Sequence, residues 1–555
     1  MVRSFFTSIF QSISRPVVFY AVLLCIVASV VFSIRFDQPN GLFWDENYHI
    51  ASAQKYREGV FFLEPHPPLG KMILAAGEQL FSLNNTLDTS TFIQTDKIDN
   101  VPDGFSFIGV RLPSVLAAIF SVLLLYAIGV VITKNAHAAF VGGSLLLFDN
   151  AFVVHSRGAM LESIQIMFML SAILIASFML VKHKKSILWY SFLGILIGLV
   201  LSVKVNSLIL ILLIPAVFIS HFFHFFVFVK SQNQSQNQSQ NESEHKIQDE
   251  IEITQSYSQK KNSFIYLIQL FIQFFLKSVW AFFLIMVVFV GIQGAHAAIA
   301  HNPYQGKLYD TSVEYQTLLS TNPLYSPRVW VATTVEWYRY NQHYQEGVPA
   351  YDATKPGENG SLPFMWPAGG KTIAYRWGKM AVQKETGQYI SFDDYSALPA
   401  ADKNEYELKA QYLYLVPNPV GWFISLFSIL ALLGLLAMQM VRKPLSFFQD
   451  PLNVFGVTVV AMWLGYMVAV SYIPRVMYLY HYFIPLVFGF IAFFLVFKIL
   501  SNQFSKQSEF FLSALFCVLV LSFLWYAPFT YFIPLSKHDV DIRNFFPIWR
   551  IQSVV

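Results

Sequence analysis

The residues best suited to chemistry lie just past the first apolar run of the chain. They are Trp44-Asp45-Glu46 and, further on, His66-Pro67-Pro68-Leu69-Gly70-Lys71. A carboxylate partly desolvated beside a membrane exit has its pKa raised. It becomes a better base and can take a proton from an acceptor. In the second motif two prolines fix the backbone and Gly70 permits a tight approach. A helix N-terminus with Lys71 beside it can face a phosphate. Each feature has a plain alternative. The acidic pair can be a solvated loop start, and the turn an ordinary helix entry with Lys71 snorkelling. Residue types alone leave both open.

Further charges fall within or at the ends of apolar runs: Arg111, Asp149, Arg157, Glu162, Lys204 and Arg475. Charges at such depth are costly, and they pair or line a polar cavity. A lone interfacial arginine is usually a lipid-headgroup anchor. Several cations on the side that holds Asp45 make a set able to bind a lipid phosphate: Arg111, Arg157, Lys204 and Arg475, with Lys71 and His66. His481, shortly after Arg475, is either a core histidine or a phosphate ligand. Asp149 is read as paired within the bundle. No GxxxxGK[ST] loop and no strand–GxGxxG–helix unit occurs, so an enzyme built this way would take an activated substrate from the membrane. No Cys/His spacing suggests zinc. The acidic pair could help hold a divalent metal, but no third ligand is evident. No cofactor is expected, with a metal left open.

These residues must be positioned by membrane spans. The chain has 555 residues, 55% hydrophobic and only 13% charged, against about 25% charged in soluble domains. Fifty-five Phe and 28 Tyr suit lipid-facing spans and interfacial belts. The net charge of +4 is scattered between spans, without a basic stripe, which argues against a nucleic-acid partner. The two cysteines, Cys25 and Cys517, lie in apolar runs and form no disulfide framework. A spanning helix needs about 20 apolar residues. Eleven segments qualify: 16–34, 107–132, 138–155, 160–181, 186–203, 207–229, 264–299, 419–441, 453–472, 479–499 and 509–531. The first has no small-residue cleavage site and reads as a retained span. Segment 264–299 is too long for one straight crossing.

Lys and Arg in the short loops fall on one side: Arg3, Arg15, Lys134, Lys182, Lys184, Lys185, Lys230, Lys260, Lys261, Arg442, Lys443, Lys498 and Lys506. That side is expected to be cytoplasmic. The N-terminus then lies inside, and the C-terminus, the Asp45 loop and region 300–418 lie outside. The expected organisation is an N-terminal membrane module (1–299), a cap (300–418) and a C-terminal membrane module (419–555). The first module contains an outer loop (35–106) and a cytoplasmic linker (231–262). The repeat SQNQSQNQSQNESE within that linker is too polar to order itself. The cap is rich in Tyr, Trp, Pro and Gly.

Several motifs occur together and in order: WDENYH (44–49), HPPLGK (66–71), FIGVRLPSVLAAIFSVLLLY (107–126), SRGAMLES (156–163), SVK (202–204), SLPFMWP (361–367), YLVPNPVGWF (414–423) and RVMYLYHYFIPL (475–486). From about residue 35 to 490 the chain resembles the protein O-mannosyltransferases, specifically bacterial members without the inserted β-trefoil (MIR) domain. The resemblance implies an all-α polytopic membrane protein of the GT-C glycosyltransferase fold, with about 11 transmembrane helices, in an inner (plasma) membrane. It implies a polyprenyl-phosphate-linked mannose donor and a Ser or Thr hydroxyl of a translocated protein as acceptor. Asp45 and Glu46 match the family's acidic pair, and Arg111 its arginine in the second span. Asp45 is then the expected general base, and Glu46 the group that orients acceptor or sugar. Arg111 and Arg475, with Lys71 and His481 as further candidates, would neutralise the departing phosphate. The chain departs from the family pattern at Glu162, where Asp is common, and after Lys204, where Val205-Asn206-Ser207 replace an aromatic and Gly. Two rivals remain. One is transfer from the same carrier to a lipid or glycan such as lipid A. The other is a transporter, which more often shows internal repeats and broken spans at the midplane.

Overall fold

The computed structural model describes residues 15–223, 249–306, 309, 311–355, 357–444, 446–501 and 505–554. The eleven apolar segments fall on helix where the structure describes them, 207–229 as far as residue 223. Eight are α1 (Arg15–Ser33), α4 (Ile108–Thr133), α7 (Glu162–Val181), α8 (Ile187–Val203), α9 (Val205–Phe223), α13 (Pro419–Arg442), α14 (Pro451–Ser471) and α15 (Leu479–Leu500). Among the described residues nine helices are long and apolar enough to cross a membrane, while α8 is shorter. Segment 138–155 is two helices, α5 (Ala136–Leu147) and α6 (Asn150–Ser156), bent by 60°. Asp149 accounts for the break. One of its oxygens caps α6 through Phe152 N (2.8 Å), and the other accepts from Trp422 Nε1 (2.7 Å). α10 (Asp249–Ile299) has an apolar stretch of 33 residues. That is about 50 Å of helix against a core of about 30 Å, so its end stands clear of the span. Residues 231–248 of the expected linker lie outside the described residues. Its remainder, 249–262, is the start of α10 rather than linker, because Glu, Gln and Lys carry a helix as well as a loop. The chain also has α16 (Ser505–Thr530).

The packing sorts these helices. α15 is buried along most of its length and forms the centre of the bundle. α1, α10 and α16 expose Phe19, Ile26, Phe275, Phe283 and Leu521, the apolar belt that a bilayer would cover. Helix entries are set locally. Asn418 caps α13 by accepting from Val420 N (3.1 Å), with Pro419 in the first turn. The NPV motif is therefore a cap and a helix start.

Region 300–418 adds a small sheet to an otherwise helical chain. It contains α11 (Val313–Thr321) and α12 (Pro327–Gly347), then strands β1 (Ile373–Gln383), β2 (Tyr389–Ser391) and β3 (Tyr406–Leu415). With β4 (Pro534–Leu535) these form an antiparallel sheet of order β2-β1-β3-β4. Alternation of side chains explains why a sheet forms. Tyr412, Tyr414 and Val416 pack against Phe529 and Trp549, while Leu413, Leu415 and Ile373 face the main core. The pairing slips once, between Ala374 and Arg376, leaving Tyr375 as the bulged residue. The sheet lies at the same end of the bundle as α2 (Glu46–Arg57) and α3 (Leu69–Phe81). Arg376 Nη1 reaches Leu42 O (2.7 Å), and Trp337 Nε1 reaches Glu64 O (3.0 Å).

Candidate active site

The loop before α2 is fixed by a buried ion pair. Arg111 on α4 donates Nε to Glu46 Oε1 (2.7 Å) and Nη2 to Glu46 Oε2 (2.8 Å). Its Nη1 reaches the carbonyls of Phe36, Asp37 and Pro39 (3.0–3.2 Å), and its Nη2 also reaches that of Gly41 (3.1 Å). Both residues are wholly buried. Glu46 also accepts from Ala159 N (2.9 Å) and Phe43 N (3.2 Å). Two expectations are corrected here. Every N–H of Arg111 is already engaged, so it offers nothing to a phosphate. Glu46 is sealed from any substrate, so it holds the loop instead of orienting acceptor or sugar.

Asp45 is left differently. It stands at the N-cap position of α2 but makes no capping bond with its side chain. Trp44 before it has φ of +51°, a left-handed conformation rare for a bulky residue and typical of functional sites. The half-buried Asp45 carboxylate accepts from Tyr480 Oη (3.3 Å). Burial raises its pKa above the usual carboxylate range, and the nearby Lys204 opposes that rise. His49, one turn further on, accounts for part of the rigidity. It is buried and donates to Ala159 O (2.7 Å), and burial lowers its pKa to about 3.

Around Asp45 the bundle and the sheet bring four groups together. Lys204, where α8 ends, ion-pairs with Glu162 at the start of α7. Glu162 accepts a second bond from His155 Nε2 (2.7 Å) on α6. His155 Nδ1 meets Tyr375 Oη (2.6 Å), delivered by the bulge in β1. The ring of His155 stacks on Tyr480 (5.0 Å between centroids), and Trp44 stacks on Tyr375 (5.0 Å). Lys204 Nζ also sits 5.7 Å above the Tyr480 ring. Lys204, Glu162 and His155 are each buried.

The remaining expected cations divide. Arg157 donates to the carbonyls of Thr530 and Arg35 and stacks on Tyr531 (4.9 Å). It ties α16 to the end of α1, which corrects its expected phosphate role. Lys71 is buried against Glu64, so its charge is already matched. Gly70 beside it lets α3 approach closely, since a Cβ there would come within 2.8 Å of Leu161. His66 shares a small cavity with Lys71, Gln293 and His296, and burial, then Lys204, holds its pKa well below the histidine range. Arg475 is half-buried and forms no salt bridge among the described residues; its backbone bridges Ala350. His481 packs on Tyr480 (4.5 Å), with Nδ1 turned to Tyr478 O (3.0 Å). No cluster of three or more His, Cys, Asp or Glu among the described residues could hold a metal ion.

Comparison with known proteins bears on this arrangement. Residues 22–289 match the family model described as "Dolichyl-phosphate-mannose-protein mannosyltransferase". Residues 336–549 match the "C-terminal four TMM region of protein-O-mannosyltransferase". The chain belongs to the protein O-mannosyltransferase family. It is 33% identical over 167 residues to protein O-mannosyl-transferase 1 of Danio rerio, which covers 29% of this chain and 22% of that one. It is 30% identical over 198 residues to the Homo sapiens protein of the same name, covering 34% and 26%. Against dolichyl-phosphate-mannose--protein mannosyltransferase 6 of Candida albicans it is 24% identical over 200 residues, covering 33% and 23%. The chain thus spans about a quarter of the length of the curated relatives it matches. Its fold matches a chain of the S. cerevisiae protein O-mannosyltransferase Pmt1-Pmt2 complex bound to the sugar donor. The TM-score is 0.67 at 11% identity, over 97% of this chain and 93% of that one.

Three residues gathered around Asp45 escaped sequence reasoning: His155, Tyr375 and Tyr480. Tyr375 is one of 28 tyrosines, and only the bulge singles it out. His155 left one readable trace. Asp149, His155, Arg157 and Glu162 fall within one short apolar stretch, a density of polar groups that a continuous span does not tolerate.

Proposed function

We propose that this multi-pass membrane protein transfers mannose, or a related hexose, from a polyprenyl-phosphate-linked donor to Ser or Thr hydroxyls of translocated proteins. The observation that carries the reading is Asp45: a half-buried carboxylate spent on neither cap nor ion pair, beside a buried lysine. Asp45 takes the proton of the acceptor hydroxyl as its oxygen attacks the anomeric carbon. The bond from that carbon to the phosphate oxygen breaks, and the lipid phosphate leaves with the electron pair. Lys204 and Arg475 supply the positive charge that meets it, in a site where fixed cations act on developing charge. A direct displacement of this kind inverts the anomeric centre. Protein acceptors are favoured over a lipid or glycan by family membership. The charge asymmetry of the loops supports a site at the outer face of the plasma membrane, with the N-terminus inside and the C-terminus outside.

The test uses purified protein in lipid nanodiscs with polyprenyl-phosphate-mannose and a Ser/Thr-rich peptide. Glycopeptide formation and donor binding are followed separately. Asp45→Asn is expected to lower transfer by about 10²-fold or more with donor binding preserved. Turnover like that of the wild type in this variant would remove Asp45 from the base role.

A further inference from the structure

The Asp45 carboxylate hangs on a single hydrogen bond. Among the described residues only Tyr480 Oη donates to it, at 3.3 Å to Oδ2, across 435 positions of sequence. The two partners come from separately fixed parts of the molecule. Asp45 belongs to the loop built by Glu46 and Arg111. Tyr480 belongs to the turn Leu479–Tyr482, which opens α15 at the centre of the bundle and is tied to α14 by Tyr466 Oη on His481 O (3.0 Å). The Tyr480 ring is clamped. His155 stacks on it at 5.0 Å and His481 at 4.5 Å, and Lys204 Nζ stands 5.7 Å over it. Its hydroxyl therefore has a fixed bearing on the carboxylate. The bond is longer than the usual O–H···O contact of about 2.8 Å, and the bonds of catalytic groups tighten once the reacting groups are assembled.

We propose that Tyr480 is a positioning residue for the transfer reaction: its hydroxyl holds Oδ2 of Asp45 so that Oδ1 is presented, ionised, to the acceptor hydroxyl. This rests on the base role given to Asp45 above. A base in this place must be charged, must keep one oxygen open and must aim it. Burial works against the charge, and a hydrogen bond to the charged form restores it. A neutral phenol suits all three demands. It supports one oxygen without pairing away the charge, whereas Glu46, held by both prongs of Arg111, is spent. The other charged and titratable groups that face Asp45 are Lys204 from the end of α8, Glu162 from α7, His155 from α6, Lys71 from α3, Tyr375 from β1, Tyr48 from α2, and Tyr478 beside Tyr480. They act on it through space; Tyr480 touches it.

The experiment measures kcat/KM against pH for full-length protein in nanodiscs, with polyprenyl-phosphate-mannose and a Ser/Thr-rich peptide. In wild type the rate climbs with pH as Asp45 ionises. Tyr480→Phe keeps the ring and its stacking but removes the donor. The carboxylate loses the bond that favours its charged form, so the acid limb should move up by about one pH unit. Donor Kd should be unchanged. 3-Fluorotyrosine installed at position 480 alone donates more strongly, because fluorine draws electrons from the ring, and should move the limb to lower pH. This substitution keeps the side chain's shape and decides the matter if Tyr480→Phe does not fold. In Asp45→Asn the limb is gone, and adding Tyr480→Phe should cost nothing further. A limb that stays in place in the Tyr480 variants, with the rate lowered equally at every pH, makes Tyr480 a packing residue and overturns the proposal while leaving the proposed function standing. A further loss on combining Tyr480→Phe with Asp45→Asn overturns it as well. Transfer like that of the wild type in Asp45→Asn overturns the base role and this proposal with it.

Discussion

Glu46 and Arg111 form a bidentate pair, at 2.7 and 2.8 Å, inside a shell where neither side chain meets solvent. Adjacent carboxylates thus serve opposite ends. Glu46 is used to build the loop, and its neighbour Asp45 is left available by that construction. The six contacts made by Arg111 close the turn from Phe36 to Glu46.

Arg111→Ala leaves Glu46 buried and unpaired and is expected to cost about 3–5 kcal/mol of stability. Arg111→Lys should recover little, because an ammonium cannot reproduce the planar fork. Thermal unfolding and folded yield in detergent check both. The folded remainder should bind donor like wild type. A thermally normal Arg111→Ala that cannot bind donor would restore the phosphate role.

Asp45→Asn should stabilise the protein at neutral pH while abolishing most transfer. The sign follows from linkage. Burial raises the folded pKa of Asp45 above its unfolded value. The stabilising contribution of its protonated form is complete below the unfolded pKa and is lost as pH rises through the folded one. Asn cannot ionise and so avoids that loss. The difference in unfolding midpoint should be greatest near neutral pH and shrink on acidification. An Asp45→Asn midpoint below wild type at pH 7 would contradict it.

Lys204→Met should weaken donor binding by roughly 10²-fold or more, the usual scale for deleting a buried, hydrogen-bonded charge. Lys204→Arg should recover part of it. Equilibrium binding of polyprenyl-phosphate-mannose in nanodiscs gives the answer. An unchanged Kd for Lys204→Met would shift the phosphate to Arg475.

Orientation is testable by labelling after Cys25 and Cys517 are replaced. Gly357→Cys and Lys184→Cys are both at exposed positions. In intact cells Gly357→Cys should react with an impermeant thiol reagent and Lys184→Cys should be protected. The reverse pattern would place the site at the cytoplasmic face.

Much of this molecule could be read before its structure. Apolar runs long enough to span a bilayer announce themselves: of the eleven expected, nine are helices long enough to cross among the described residues, a tenth is the bent pair α5–α6, and α8 is shorter. Asp45 was legible from its position after a span. Its surroundings were not. Arg111 looked like a free cation because the partner that consumes it is 65 residues away, and charge alone does not say which carboxylate of a pair turns inward. Arg157 misled for a similar reason, since its partners are backbone carbonyls, which every sequence has in excess. Region 300–418 hid its sheet because β1 pairs with a strand beyond an intervening helix, and its edge is closed from the far end of the chain.

That last closure has a consequence in time. β4 pairs with β3, and the carbonyls of Ile548 and Trp549 receive the amides of Lys371 and Thr372 just ahead of β1. Synthesis runs from the N-terminus, so Asp45 is made before β1 and its partners β2 and β3, and residues 534–549, which pair with β3 and with the turn ahead of β1, are made later still. A chain still emerging from the ribosome can hold Asp45 in its membrane module while the wall opposite is unfinished. The wall that carries Tyr375 gains its last contacts only after residues 534–549 have been made.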